Sequence, residues 1–175
     1  ADGRNLKQLT NRAGNNRHPS WSPDGQWLTF GSDRSGNWDV YIARADGSDV
    51  RNITNSPADD NLPAWSPDGQ KISFQSDRSG KMQIYVVDAA GGEPVNVSRS
   101  EGADSYPQWS PTGDQISFHS NREGNNDIFV MNADGSEPIN LTNHPANDEL
   151  AVWSPDGKWL VFASDRDGNV DLYTL

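Results

Sequence analysis

Hydrophobic and polar residues alternate in short runs along the chain, and turn-forming residues separate the runs. Residues 22–25, Ser-Pro-Asp-Gly, fit a type I turn, because Pro suits its second position and the Gly can take a positive φ. Residues 27–30 then alternate with the period of a strand, and residues 40–42 form a second β-branched and aromatic run. An Asp-Gly hairpin turn at 46–47 leads to another strand over 50–54. No stretch of ten or more residues has a helical period, so the pattern predicts an all-β fold.

The same pattern recurs every 44 residues through the whole sequence. Each repeat contains Trp-Ser-Pro-x-Gly, and the tryptophans are Trp21, Trp65, Trp109 and Trp153. The repeat also keeps one aromatic and one arginine position: Phe30, Phe74, Phe118 and Phe162, then Arg34, Arg78, Arg122 and Arg166. Four short strands in each period of 40–45 residues are typical of a β-propeller blade. We therefore predict one propeller domain, 1–175, with repeats 1–44, 45–88, 89–132 and 133–175.

The repeated string resembles the PD40 repeat, the WD40-like unit of TolB-type propellers. The residues that carry the resemblance are Trp-Ser-Pro-Asp-Gly, the Ile/Leu-x-Phe that follows it, Ser-Asp-Arg-x-Gly and Ile-Tyr. The resemblance extends over all four units. It implies blades of four antiparallel strands, a periplasmic or otherwise exported protein, and partners in the cell envelope.

The phase of the repeat predicts how the propeller closes. The chain starts after a hairpin turn, so Leu6–Thr10 is a fourth strand, and it stops at a third strand, Leu172–Leu175. We expect Velcro closure, in which the N-terminal strand completes the last blade, because unpaired strand edges are unfavourable. Closure within one chain makes a four-bladed ring, whereas closure between two chains makes an eight-bladed homodimer. A fragment of a longer array is the third possibility.

Composition limits the partners. The chain has 14 Lys and Arg against 25 Asp and Glu, a formal net charge of −11. That balance disfavours nucleic acid, whose phosphates need a positive surface, and favours a basic protein or peptide. No apolar run approaches the roughly 20 residues of a membrane helix, so we expect no membrane insertion. There are no cysteines, which excludes disulfides and thiolate chemistry.

One set of aligned polar residues suggests a cation site. In a propeller, the loop before each first strand leads into the central channel. Carboxylate and amide oxygens around one axis could hold calcium or another hard cation at the channel mouth. The aligned residues are Asn16, Asp60, Asp104 and Asp148. Solvated or capping carboxylates are the alternative interpretation.

Residues that break the repeat are the candidates for partner binding, since the symmetry of the blades does not require them. Exposed aromatic and arginine side chains are also the usual anchors of protein interfaces. The predicted partner-binding residues are Arg17, His18, Trp38, Leu62, Tyr106 and Leu150. The strictly repeated Trp-Ser-Pro and Ser-Asp-Arg positions are interpreted as structural.

We find no catalytic motif, because the sequence lacks Gly-x-Ser-x-Gly and its three histidines occupy different repeat positions. The function predicted from the sequence is a non-enzymatic scaffold that binds a protein or peptide. One alternative is a propeller fragment, engineered or excised, without an evolved function of its own. The other is an accessory propeller of a peptidase or polysaccharide lyase.

Overall fold

The computed structural model describes residues 4–11 and 13–175. In that part of the chain every regular element is a strand, and no helix is long and apolar enough to cross a membrane. The strands form four antiparallel sheets in chain order. The first is β1 Asn16–Trp21, β2 Trp27–Ser32, β3 Asp39–Arg44 and β4 Arg51–Asn52. The second is β5 Asp60–Trp65, β6 Lys71–Ser76, β7 Gln83–Asp88 and β8 Val95–Asn96. The third is β9 Asp104–Trp109, β10 Gln115–Ser120, β11 Asp127–Asn132 and β12 Ile139–Asn140, and the fourth is β13 Asp148–Trp153, β14 Leu160–Ser164 and β15 Asp171–Thr174.

Each sheet is a meander whose strands pair only with their neighbours in sequence, which is the blade predicted from the repeat. The first strand of each blade contacts the first strand of the next, so β1, β5, β9 and β13 line the inner side of the array. Each of the first three sheets begins inside one predicted repeat and ends in the next, because the predicted repeats start at the Ala-Asp-Gly turn, whereas the fourth lies within 133–175. The first copy of that turn, residues 1–3, lies outside the described residues.

The hydrophobic core lies between blades rather than within one. Ile84 and Val86 of the second blade pack on Ile116 and Phe118 of the third, and the same layers recur at the other two junctions. Hydrogen bonds also cross the junctions. The indole Nε1 of Trp109 donates to the Ala64 carbonyl at 3.2 Å, and that of Trp153 donates to the Gln108 carbonyl at 3.3 Å. The repeated tryptophan therefore bonds the third and fourth blades to the blade before them, whereas Trp65 packs at the first junction with its Nε1 unpartnered among the described residues.

The predicted Velcro closure does not form within one chain. Residues 4–11 contain no strand, and the fourth sheet has three strands. The N-terminal segment lies instead against the first blade, where the Lys7 Nζ donates to the Asp46 carbonyl at 2.7 Å. Four blades thus make an open array, and the predicted four-bladed ring of a single chain is wrong. Closure between two chains stays a prediction.

Candidate functional site

The edge at which the inner strands begin, here called the upper edge, contains a repeated pair of buried ions. Asp60, Asp104 and Asp148 are fully buried at the start of β5, β9 and β13. Each accepts a hydrogen bond from the arginine of its own blade, at 2.8 Å from Arg78, 3.0 Å from Arg122 and 3.0 Å from Arg166. In the first blade Asn16 takes the place of the aspartate and accepts from Arg34 at 2.6 Å.

Each of these arginines also stacks on the core of its blade. The Arg78 guanidinium carbon lies 5.5 Å from the Phe74 ring centre and 4.9 Å from that of Tyr85. Its Nε donates to Ser76 Oγ at 3.0 Å. The Ser-Asp-Arg motif therefore connects the first strand, the second strand and the aromatic side chains of one blade. This explains why it recurs in every repeat.

The cation site predicted at Asn16, Asp60, Asp104 and Asp148 stays a prediction that the structure does not support. At least one carboxylate oxygen of each aspartate accepts from the arginine of its own blade, and the buried Asp60 Oδ1 has no hydrogen-bond partner among the described residues. Among the described residues no group of three or more acidic or histidine side chains could hold a metal ion. The aligned carboxylates serve to satisfy buried guanidinium groups, an alternative that repeat spacing alone does not distinguish from a shared site.

Four of the predicted partner-binding residues occupy one special backbone position. His18, Leu62, Tyr106 and Leu150 have φ values of +53°, +51°, +58° and +59°. Each lies in a β-bulge, where the register of the first strand of the blade shifts against the second strand. Left-handed non-glycine residues and bulges turn a side chain out of the regular pleat. The bulge thus gives each blade one side chain outside the regular pleat, which is His in the first blade, Tyr in the third and Leu in the other two.

The remaining two predicted residues meet at the junction of the first two blades. The Arg17 guanidinium carbon lies 5.2 Å from the centre of the Trp38 ring. The Asn61 side chain of the second blade also lies near Trp38, because Gly31 of β2 has no side chain in between. A Cβ on Gly31 would lie 2.5 Å from the Asn61 Oδ1. Partial burial and the adjacent Arg17 charge both lower the pKa of His18, which favours its neutral form at the upper edge.

The junction of the third and fourth blades holds a polar cluster that the sequence analysis missed. The His119 ring lies 5.1 Å from the Tyr106 ring, and the Asn126 side chain donates to Glu149 Oε1 at 2.5 Å. His119 is buried, and its Nδ1 has no hydrogen-bond partner within the described residues. Burial lowers the pKa of His119, although the Glu149 and Asp104 charges oppose this shift.

A signal for this cluster was present in the sequence. The repeat position of His119 is Gly31, Gln75 and Ala163 in the other blades, so it varies as widely as the predicted partner-binding positions. The sequence did not single out His119 because it lies on the second strand of its blade, where a buried structural residue is the usual expectation. The structure shows that the upper end of that strand reaches the blade junction.

Family comparison identifies these blades. The model of the PD40 family, the TolB β-propeller domain, matches residues 1–105 and 95–175. The chain belongs to the PD40 family. Over 41 residues, 23% of this PD40 chain, it is 46% identical to the Tol-Pal system protein TolB of Desulfosudis oleivorans. That segment is 9% of the TolB sequence.

Solved structures agree with this assignment of the fold. The PD40 chain superposes on a putative TolB from Agrobacterium tumefaciens with a TM-score of 0.83 and 25% identity, covering 95% of this chain and 60% of that one. TolB from Acinetobacter baumannii gives a TM-score of 0.85 at 22% identity, with 98% and 44% covered. A puromycin hydrolase mutant complexed with PGG gives 0.80 at 19% identity, with 100% and 29% covered. The chain thus spans less than two thirds of each of these relatives, and the same fold occurs in TolB and in a puromycin hydrolase.

Proposed function

We propose that this PD40 propeller is a non-enzymatic scaffold that binds a protein or peptide along its upper edge. The observation that carries the proposal is the set of side chains that depart from the repeat there. They include a stacked pair, Arg17 with Trp38, and one bulge residue per blade. Tyr106 and Leu150 are exposed although both are large and hydrophobic. Aromatic and arginine side chains presented in this way are typical centres of protein interfaces.

Electrostatics favour a basic partner. The chain has a formal net charge of −11, and arginines neutralise the buried Asp60, Asp104 and Asp148. Apart from Asp39 and Asp127, which are buried with neutral donors, the other carboxylates of the described residues are at least partly exposed; they would accelerate association with a cationic partner and make it sensitive to salt. By its relation to TolB, we further propose that the protein is exported to the periplasm and binds a partner of the cell envelope.

Selection from a random peptide library tests the proposal without assuming a partner. The wild-type chain is used to select peptides, and their affinities are measured for the wild type and for Trp38→Ala and Tyr106→Ala. We expect enrichment of Lys- and Arg-containing peptides. Each substitution should weaken binding by at least about tenfold, as expected when a central aromatic anchor is lost. Raising the salt concentration should weaken binding as well.

Ile139→Ala is the matched control, because Ile139 is an equally exposed apolar residue on the outermost strand of the third blade, far from the upper edge in its sheet. It should leave peptide binding unchanged. Circular dichroism and thermal melting would show that the three variants remain folded. Peptides that bind all three variants equally, or a library that yields no binder, would count against the upper edge as the binding surface.

A further inference from the structure

The fourth blade exposes an apolar face that is covered in the other blades. Val152, Trp159 and Leu172 are 58%, 56% and 76% exposed. One repeat earlier, the residue aligned with Leu172 is Ile128, which is fully buried against the fourth blade. Trp27, at the repeat position of Trp159, packs on the core between the first two blades. The exposed face therefore has the composition of a blade junction that lacks its second half.

The first blade exposes the complementary half. Trp21 is 56% exposed, whereas the aligned Trp109 is 9% exposed and donates to the preceding blade. The carbonyl that accepts from the indole lies one repeat further along the chain at each step: Ala64 accepts from Trp109, and Gln108 accepts from Trp153. The carbonyl at the next step is that of Val152, on the exposed face of the fourth blade. Continued by one step, the spacing seen for Trp109 and Trp153 pairs the exposed Trp21 at one end of the array with the Val152 carbonyl at the other, although Trp65 does not make this bond.

A second repeated contact shows the same pairing. In three junctions a proline of one blade touches the glycine turn of the next, with 3.3–3.6 Å between the proline Cδ and a Cβ placed on Gly69, Gly113 or Gly157. A Cβ on Gly25 of the first blade meets nothing within 4 Å. The proline aligned with the partners of those glycines is Pro155, which is exposed on the fourth blade.

The N-terminal segment already occupies the position of a preceding blade's outermost strand. A Cβ on Gly47 would lie 2.7 Å from the Leu9 carbonyl oxygen, just as one on Gly135 would lie 2.0 Å from that of Val97. Val97 directly follows β8, the outermost strand of the second blade. Residues 6–10 therefore lie near the place of a fourth strand, although they form no strand and have no third strand beside them. In the fourth blade, β15 has no fourth strand.

We propose that the exposed face of the fourth blade is a docking surface for the first blade of a second copy of this chain. Residues 6–10 of that copy would pair with β15. In the first blade Arg51 pairs with Ile42 and Asn52 with Tyr41, so the same register places Lys7 opposite Thr174 and Gln8 opposite Tyr173. Each copy has both halves of the junction. Two identical junctions related by a two-fold axis close a ring of eight blades.

The number of copies in the ring follows from the number of blades that each copy contributes. The described residues of these 175 form four sheets and leave both halves of the junction exposed, so each copy of this sequence adds four blades. Propellers typically have four to eight blades, so two copies complete a ring and a third exceeds that range. Closure also removes the two unpaired strand edges, which otherwise favour open-ended association.

The first test is the mass in solution, measured by light scattering over a wide range of concentrations. The proposal predicts a particle of about 38 kDa, twice the chain mass of 19.2 kDa, whose mass does not rise further with concentration. Leu172→Arg should halve this mass while preserving the circular dichroism spectrum, since the Leu172 side chain is exposed within its own chain. The control is Ile139→Arg, an exposed apolar residue on another blade whose repeat position is naturally Arg51 in the first blade; it should remain dimeric.

The second test examines the register by crosslinking, which is direct because the chain has no cysteine. Lys7→Cys combined with Thr174→Cys should give a covalent dimer under mild oxidation, since directly opposed residues of paired strands have the spacing of a disulfide. Lys7→Cys combined with Tyr173→Cys should not, because neighbouring strand residues point to opposite faces. A monomeric wild type, a mass that grows with concentration, a dimer that survives Leu172→Arg, or crosslinking only in the shifted pair would each overturn the proposal.

Discussion

Replacing Arg78 by methionine measures what it costs to leave a buried carboxylate without its arginine. In the wild type, the Arg78 side chain is 21% exposed and its guanidinium lies 2.8 Å from Asp60, which is fully buried. The first blade provides a matched control in Arg34, which makes the same contacts with the serine and the rings of its blade. Its partner is the neutral side chain of Asn16 rather than a carboxylate.

The two substitutions should differ in the free energy of unfolding. Both lose a hydrogen bond worth about 1 kcal/mol and a ring contact worth about 0.5–1 kcal/mol, while methionine preserves much of the packing. Arg34→Met should therefore cost about 1–2 kcal/mol. Arg78→Met additionally leaves a carboxylate uncompensated, and breaking a buried ion pair costs about 3–5 kcal/mol in total. The structure thus predicts a gap of about 2–3 kcal/mol between two chemically identical changes.

The gap should also depend on pH. Burial raises the pKa of Asp60 above its ordinary value, and the hydroxyl groups of Ser76 and Thr54 together with Arg78 oppose that rise. Removing Arg78 therefore raises this pKa further. A carboxyl whose pKa is higher in the folded state binds more protons there, so its contribution to stability is largest at low pH and is lost as pH rises through the folded pKa. The deficit of Arg78→Met should be largest near neutral pH and should shrink as the solution is acidified toward the pKa of an ordinary aspartate.

Urea unfolding followed by tryptophan fluorescence, repeated at neutral and mildly acidic pH, gives both quantities. Arg34→Met should lower the free energy of unfolding by a small amount that is the same at both pH values, because the partner of Arg34 is the neutral Asn16 amide. Equal losses for the two variants, or a deficit of Arg78→Met that stays constant on acidification, would refute the interpretation of the Asp–Arg pair as a compensated buried charge.

Three further substitutions test the turns and the upper edge. Gly91→Ala and Gly135→Ala both place alanine at positive φ, +95° and +87°, which costs about 1 kcal/mol each. Gly135→Ala should lose clearly more, because its Cβ would lie 2.0 Å from the Val97 carbonyl oxygen; equal melting temperatures would contradict this. Glu149→Gln should move the pKa of His119 further down, since the Glu149 charge raises it, and a pH titration of the imidazole by NMR should show it. An unchanged or higher pKa would mean that the two side chains do not interact.

The blade could be predicted from the sequence because its signals are local and are repeated four times. The strand period and the turn residues of a blade lie within about 40 residues, and β2 and β3 formed where residues 27–30 and 40–42 predicted them. Equal spacing could not decide the cation site, because it shows that residues are equivalent, not that they converge. Whether Asp60 points to the channel axis or to Arg78 depends on the side-chain direction within one blade. The His119 cluster was missed for a related reason, since contacts across a blade junction have no sequence spacing of their own.

Departures from the repeat have different meanings on different surfaces. At the repeat position of Val161, the first three blades have Thr29, Ser73 and Ser117, which are fully buried and donate to a backbone carbonyl of their own blade. Valine cannot donate a hydrogen bond, so the fourth blade lacks this bond. Its apolar side chain is stabilised only when another surface buries it away from water. At the upper edge, by contrast, Tyr106 aligns with His18, Leu62 and Leu150 and remains 36% exposed, although its ring contacts His119 of its own blade. Under the two proposals made above, the first kind of departure completes a junction between blades, and the second provides a surface for a different molecule.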